Sequence, residues 1–208
     1  MKTIKELEPL KTLEIHKWFV SSVELSPDGK YVLSGSFDRT IKIWNLYTDV
    51  CKILQRHNDK IHSVCFDPKG KYIASGSVDN IIKIWEIDTG KCSQTLKGHW
   101  ISVNFVVFDP DGKNILSGGS DLKVKLWDIE TGKCLKTFVG HKRKVIVVGF
   151  SYNKKHVLSG SYDGIIKLWN IESGKNIKIF EGFKNFISAI CFSQDGKYAL
   201  LINTNNIF

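Results

Sequence analysis

The chain has 208 residues, of which 25% are charged, 42% hydrophobic and 12% aromatic, a core-forming composition that excludes a disordered tail, a collagen-like fibre and a disulfide miniprotein. Its formal charge of +9 comes from 27 Lys and 3 Arg against 21 acids, with the lysines spread through every segment. No apolar run nears the roughly 18 residues of a membrane span, the N-terminal residues lack the apolar stretch of a secretory signal, and no Asn-x-Ser/Thr acceptor occurs.

A cytoplasmic or nuclear protein with no membrane partner is therefore expected. Arginine, the residue suited to bidentate contact with guanine or phosphate, is scarce, which disfavours nucleic-acid binding except indirectly within a complex. The lysine excess favours acidic partners in a salt-dependent way.

Read from the N-terminus, one pattern returns. Histidines at 16, 57, 99 and 141 are spaced 41, 42 and 42 residues, as are tryptophans at 44, 85, 127 and 169. Aspartates at 38, 79, 121 and 163 each precede their Trp by six. Three residue types on one period define a tandem repeat. Residues 1–14 read as a lead-in segment in which 10–13 match the outer strand before each His. Residues 15–182 then hold four repeats, and 183–208 a truncated, degenerate fifth.

Residues 99–140 show the internal order of one repeat. Val103 to Phe108 is an apolar strand, Asp109-Pro110-Asp111-Gly112 a turn, and Asn114 to Gly118 a second strand. Ser120-Asp121-Leu122 turns the chain into Val124 to Trp127, which alternates with period two, and Glu130-Thr131-Gly132 turns it into Lys133 to Val139. Gly29, Gly70, Gly112 and Gly196 mark the first turn of successive repeats. Four short strands per repeat and no helical pattern predict an all-β propeller blade. In the fifth repeat Phe183 stands for His, Leu201 for Ser and Asn205 for Asp, and the chain ends at Phe208 where the Trp strand is due.

Gly98-His99, Gly140-His141, Trp127-Asp128 and the variants Trp44-Asn45, Trp85-Glu86 and Trp169-Asn170 carry a family resemblance. So do Ser-Pro-Asp-Gly-Lys at 26–30, Ser-Gly-Ser-Phe-Asp at 34–38 and Thr-Gly-Lys-Cys at 89–92 and 131–134. The sequence resembles the WD-repeat β-propeller family over essentially its whole length. The resemblance implies four full blades and a partial fifth, in an open or partial ring, since rings of this kind have about seven blades. A fragment of a longer propeller, a truncated product, or a chain completed by another copy or another protein are all consistent with that count. Open blade edges would then permit self-association.

The resemblance also implies a buried hydrogen-bonded tetrad in each blade. The four sets are His16, Ser34, Asp38 and Trp44; His57, Ser75, Asp79 and Trp85; His99, Ser117, Asp121 and Trp127; and His141, Ser159, Asp163 and Trp169. A hairpin centred near Asp38 and Arg39 places Ser34 opposite Trp44. The Ser/His/Asp collection is not read as a hydrolase triad, because it recurs four times beside a Trp and no Gly-x-Ser-x-Gly elbow occurs.

His57, His62 and Cys65 lie close in sequence, but His57 belongs to its tetrad and a fourth ligand is missing. The five cysteines include no Cys-x-x-Cys and read as buried, reduced thiols. No catalytic residues, no cofactor and no metal are expected. The resemblance implies a non-catalytic scaffold for protein or peptide partners with acidic and apolar features. Its binding face would carry Phe19, Ser21 and Phe37; Lys60, His62 and Val78; Ser102, Asn104 and Ser120; and Lys144, Ile146 and Tyr162, with Phe186 and Ser188 following if the fifth repeat folds alike. The alternatives are the repeat region of a larger signalling or ubiquitin-ligase adaptor, or a ribonucleoprotein and RNA-processing component.

Overall fold

The computed structural model describes residues 12–13, 16–54, 57–183, 186–193 and 198–203. These form antiparallel sheets, each built from strands consecutive in the chain. The first contains β1 (Val20–Leu25), β2 (Tyr31–Ser36), β3 (Ile41–Asn45) and β4 (Cys51–Ile53). The second contains β5 (Ile61–Phe66), β6 (Tyr72–Ser77), β7 (Ile81–Glu86) and β8 (Cys92–Lys97). The third contains β9 (Val103–Phe108), β10 (Asn114–Gly119), β11 (Lys123–Asp128) and β12 (Cys134–Val139). The fourth contains β13 (Val145–Phe150), β14 (His156–Ser161), β15 (Ile166–Asn170) and β16 (Asn176–Phe180), and the fifth β17 (Ile187–Phe192) and β18 (Ala199–Asn203). The predicted outer strand at 10–13 falls partly outside the described residues, and residues 12 and 13 are not in a strand. Asn205 also lies outside them.

Blades pack face to face through apolar clusters. Ile82, Ile84 and Leu96 of the second blade meet Val103, Val106, Phe108, Ile115 and Trp127 of the third. The repeat-equivalent face of the first blade carries Val20, Val23 and Leu25, which stay exposed. Phe183, in the place of a tetrad His, packs with Val147, Leu158, Ile166 and Ile187 at the fourth blade's far face.

Close approach between blades depends on one glycine per repeat. A Cβ on Gly76 would lie 2.7 Å from Val103 Cγ1, and one on Gly118 2.7 Å from Val145 Cγ1. Outer edges are stitched by long side chains reaching the next blade. Lys52 Nζ donates to the carbonyls of Ile87 at 2.7 Å and Asp88 at 2.6 Å. Lys136 Nζ does the same to Ile171 and Glu172.

The thiols depart from expectation. Cys65 is buried, but Cys134 and Cys191 are exposed and Cys51 and Cys92 half-buried. The three on the fourth-strand position lie on the edge strands of their sheets, where Cys92 still packs against the cluster joining the first two blades.

Candidate functional site

The second and third blades bring all four tetrad residues together. His57 Nδ1 lies 2.9 Å from Asp79 Oδ2 and its Nε2 2.7 Å from Ser75 Oγ, to which Trp85 Nε1 donates at 2.8 Å. His99 stands 2.9 Å from both Asp121 oxygens and 2.8 Å from Ser117 Oγ, which accepts from Trp127 Nε1 at 2.8 Å. Each Asp also shapes its turn, as when Asp79 Oδ1 accepts the Ile81 N–H at 3.1 Å. This chain of partners satisfies polar groups that would be costly to bury alone. Although burial acts against ionisation, hydrogen bonds and the charge of the neighbouring imidazole hold the Asp79 and Asp121 carboxyls below the usual range.

The register differs from the hairpin expected. Ser34 pairs with Lys42 and Trp44 with Val32, which sets Ser and Trp on a diagonal, and the indole spans it in the second, third and fourth blades. The hairpin is centred one residue earlier than predicted, on Asp38.

Two tetrads are incomplete. In the first blade His16 contacts Asp38 at 2.9 Å and Ser34 at 2.8 Å, but Trp44 Nε1 is buried without a partner. Trp85, Trp127 and Trp169 each pack in a cluster with a preceding blade. Trp44 has no such neighbour among the described residues, so nothing presses its indole onto Ser34. In the fourth blade His141 reaches Ser159 at 2.7 Å and Trp169 donates to Ser159 at 2.8 Å, but His141 Nδ1 and Asp163 Oδ2 are unpaired. The turn bearing Asp163 also carries Tyr162, which stacks on Phe186. Its Asp163 N–H to Ser161 Oγ distance stretches to 3.5 Å, against 3.0 and 3.1 Å at Asp38 and Asp79.

Burial pushes His141 down to about 4, with Asp163 opposing the shift and Lys167 adding to it. The fold thus holds a neutral imidazole, while the unfolded chain takes up its proton near the ordinary value of 6.5. This contribution to stability is present above the unfolded value and is lost as pH falls through the window towards 4. The depressed carboxyls of Asp79 and Asp121 act only below the ordinary 3.8, outside that window. Urea unfolding midpoints should therefore fall as pH drops from 6.5 towards 4, and His141→Gln should flatten the dependence. An unchanged slope in the variant would place the acid sensitivity elsewhere.

The side chains expected on the binding face gather along one rim. In every full blade a backbone hydrogen bond joins the loop before the first strand to the second hairpin turn. Phe37 N–H donates to Phe19 O at 2.9 Å, Val78 to Lys60 at 2.9 Å, Ser120 to Ser102 at 2.8 Å, and Tyr162 to Lys144 at 3.0 Å. Ser21, His62, Asn104, Ile146 and Ser188 are each the extra residue of a β-bulge in the first strand of their blade. A bulge lifts its residue out of the ladder and re-aims it.

Not all of these side chains are free to bind. Ser21 Oγ donates to Ile61 O at 2.6 Å and Asn104 Nδ2 to Val145 O at 2.8 Å, so both tie their blade to the next. Ser120 donates to Asn104 Oδ1 at 3.1 Å. The accessible chemistry is aromatic and cationic. Phe19 and Phe37 are 5.3 Å apart, Phe37 and His62 5.7 Å, and Lys60 Nζ sits 5.3 Å from the Phe37 centroid. Lys144 Nζ lies 4.3 Å from the Tyr162 centroid. Burial and the charges of Lys144 and Lys60 hold the His62 imidazole below its ordinary range, against Asp59.

Sequence reasoning passed over Trp18, which is 66% exposed, and its neighbours Lys17, Arg39 and Lys42. The signal was present: Trp18 and Trp100 are the two tryptophans off the repeat period, and both are exposed. Among the described residues, no group of three His, Cys, Asp or Glu is placed to hold a metal ion, and no helix is long and apolar enough to cross a membrane.

A family model described as "WD domain, G-beta repeat" matches residues 7–45, 48–86, 90–128 and 132–170. The small ribosomal subunit protein RACK1 of Drosophila melanogaster is 53% identical over 38 residues, covering 18% of this chain and 12% of that protein. The ribosome biogenesis protein BOP1 homolog of Drosophila ananassae is 43% identical over 52 residues, 23% of this chain and 7% of the relative. The target of rapamycin complex subunit LST8-1 of Arabidopsis thaliana is 42% identical over 45 residues, 22% and 15% respectively. The chain thus aligns with a small part of each relative's length.

Proposed function

As this chain belongs to the WD-repeat β-propeller family, we propose that it is a non-catalytic scaffold holding protein or peptide partners against the loop rim of its blades, in the cytoplasm or nucleus. The observation that supports this most is the rim itself. Loop and turn residues there carry rings beside lysines, with Phe19 and Tyr162 exposed and Phe37 and Phe186 half-buried, next to Lys60 and Lys144. Rings supply large apolar area for a partner, and the lysines attract acidic flanks. In the second and third blades the Ser, His and Asp groups are spent on one another and on turns, and the same trio recurs in every full blade, which suits a structural role.

The test is capture of partners by the intact chain, followed by binding measurements at two salt concentrations. Phe37→Ala and Tyr162→Ala should each weaken a rim partner by about 2 kcal/mol. Lys60→Ala and Lys144→Ala should act on association rate and salt dependence. If all four variants bind as the wild type does, the rim is not the site.

Membership of a ribonucleoprotein assembly is a second reading. It draws on relatives named for the ribosomal subunit and ribosome biogenesis, and on the exposed run Lys142-Arg143-Lys144. Direct RNA binding whose affinity falls steeply with salt would favour it.

A further inference from the structure

A cleft of about 510 Å³ opens between the first and second blades, beside the rim. Its wall combines exposed Trp18 with Phe37 and the cations Lys17, Arg39, Lys42 and Lys60. The apolar side is extended by Ile53, which is also exposed.

Among the described residues two carboxylates line the cleft, Asp38 and Asp59. Asp38 is engaged within the fold, accepting from the Lys17 N–H at 3.0 Å and the Thr40 N–H at 2.9 Å and lying 2.9 Å from His16 Nδ1. Arg39 is braced by one bond, Nη1 to Asn58 O at 3.3 Å. That leaves most of its fork of donors for a carboxylate. The cations therefore outnumber the acids, and the one acid turned inward does little to offset them.

We infer that this cleft docks an acidic peptide segment, with one large apolar side chain lying on Trp18 and Phe37 and flanking carboxylates paired with Lys17, Arg39 and Lys42. The inference rests on the rim reading and shares Phe37 and Lys60 with it, while Trp18, Lys17, Arg39 and Lys42 belong to the cleft alone. Aromatic surface in a walled cleft supplies contact area at small entropic cost. The surrounding charges select the sign of the partner and speed encounter. A basic or neutral peptide would bring the same apolar anchor but leave the cations unpaired, which sets the selectivity.

The experiment selects short random peptides displayed on phage against the full chain, then measures fluorescein-labelled winners by anisotropy. Winners should be enriched in Asp and Glu around one aromatic or large aliphatic residue. Trp18→Ala and Lys42→Glu should each weaken them about tenfold or more, while Lys144→Glu and Tyr162→Ala change them less than about twofold. Trp18 is exposed and Lys42 half-buried, and unchanged circular dichroism and thermal melting will show that the variants fold. No selected binders, no acidic enrichment, or indifference to Trp18→Ala and Lys42→Glu would overturn the inference. Loss on the Lys144 and Tyr162 variants alone would remove the cleft and leave the rim reading standing. Indifference to all four would remove both. A single-stranded RNA oligomer that binds through Lys42 more tightly than any winner would overturn the peptide assignment.

Discussion

Trp127→Ala is expected to lower the free energy of unfolding by about 3–5 kcal/mol, the range for emptying a buried aromatic site. Trp127 is 1% exposed and lies in the cluster that joins the second and third blades. Its loss also takes a donor from the buried Ser117 hydroxyl, which is left with His99 and the Lys125 carbonyl. Trp44→Ala supplies the contrast. That residue has the same place in its repeat, but it is half-buried and its indole makes no hydrogen bond. Its replacement should cost less than half as much. Denaturant titration of the two variants measures the difference, and equal losses would mean that the preceding blade's cover contributes little.

Gly76→Val should cost towards the upper end of the roughly 1–3 kcal/mol that overpacking brings. Strand propensity argues the other way, since Val suits β-structure and Gly does not. Packing decides the sign, because even a Cβ would stand 2.7 Å from Val103 Cγ1 and 3.1 Å from Val106 Cγ1, both on the neighbouring blade. Val103→Ala in the same chain should recover part of the loss, giving a favourable coupling in a double-mutant cycle. Strict additivity would show that the strain lies within the second blade.

The all-β architecture was legible because it is periodic. One spacing was enough to link His57, Asp79 and Trp85, while their grouping with Ser75 into one buried set came from the family resemblance. The Trp register was misjudged by two residues because a hairpin's centre depends on its turn, and Asp38 and Arg39 serve equally well as centre on paper. The gaps at Trp44 and at the His141–Asp163 pair were not legible at all. The first goes with the lack, among the described residues, of a preceding-blade cluster at Trp44, and the second with a turn whose Tyr162 stacks on Phe186 of the next repeat. On the rim, counting from each His located Ser21, His62 and Asn104, but not that a bulge lifts them or that Ser21 and Asn104 are used as ties. Trp18 was missed because attention to the period hides what departs from it.

The bulges separate what the fold must specify from what it leaves open. The residue just before each one is Val20, Ile61, Val103, Val145 or Ile187, always β-branched and aliphatic, and each pairs with the second strand. The lifted residues are Ser21, His62, Asn104, Ile146 and Ser188, a hydroxyl, an imidazole, an amide, an alkyl group and another hydroxyl. One repeating scaffold thus displays a different side chain at the same lifted position of each blade, and two of these, Ser21 and Asn104, also tie that blade to the next. A lineage that duplicates such a repeat can inherit the fold whole and still spell a new surface, one position at a time.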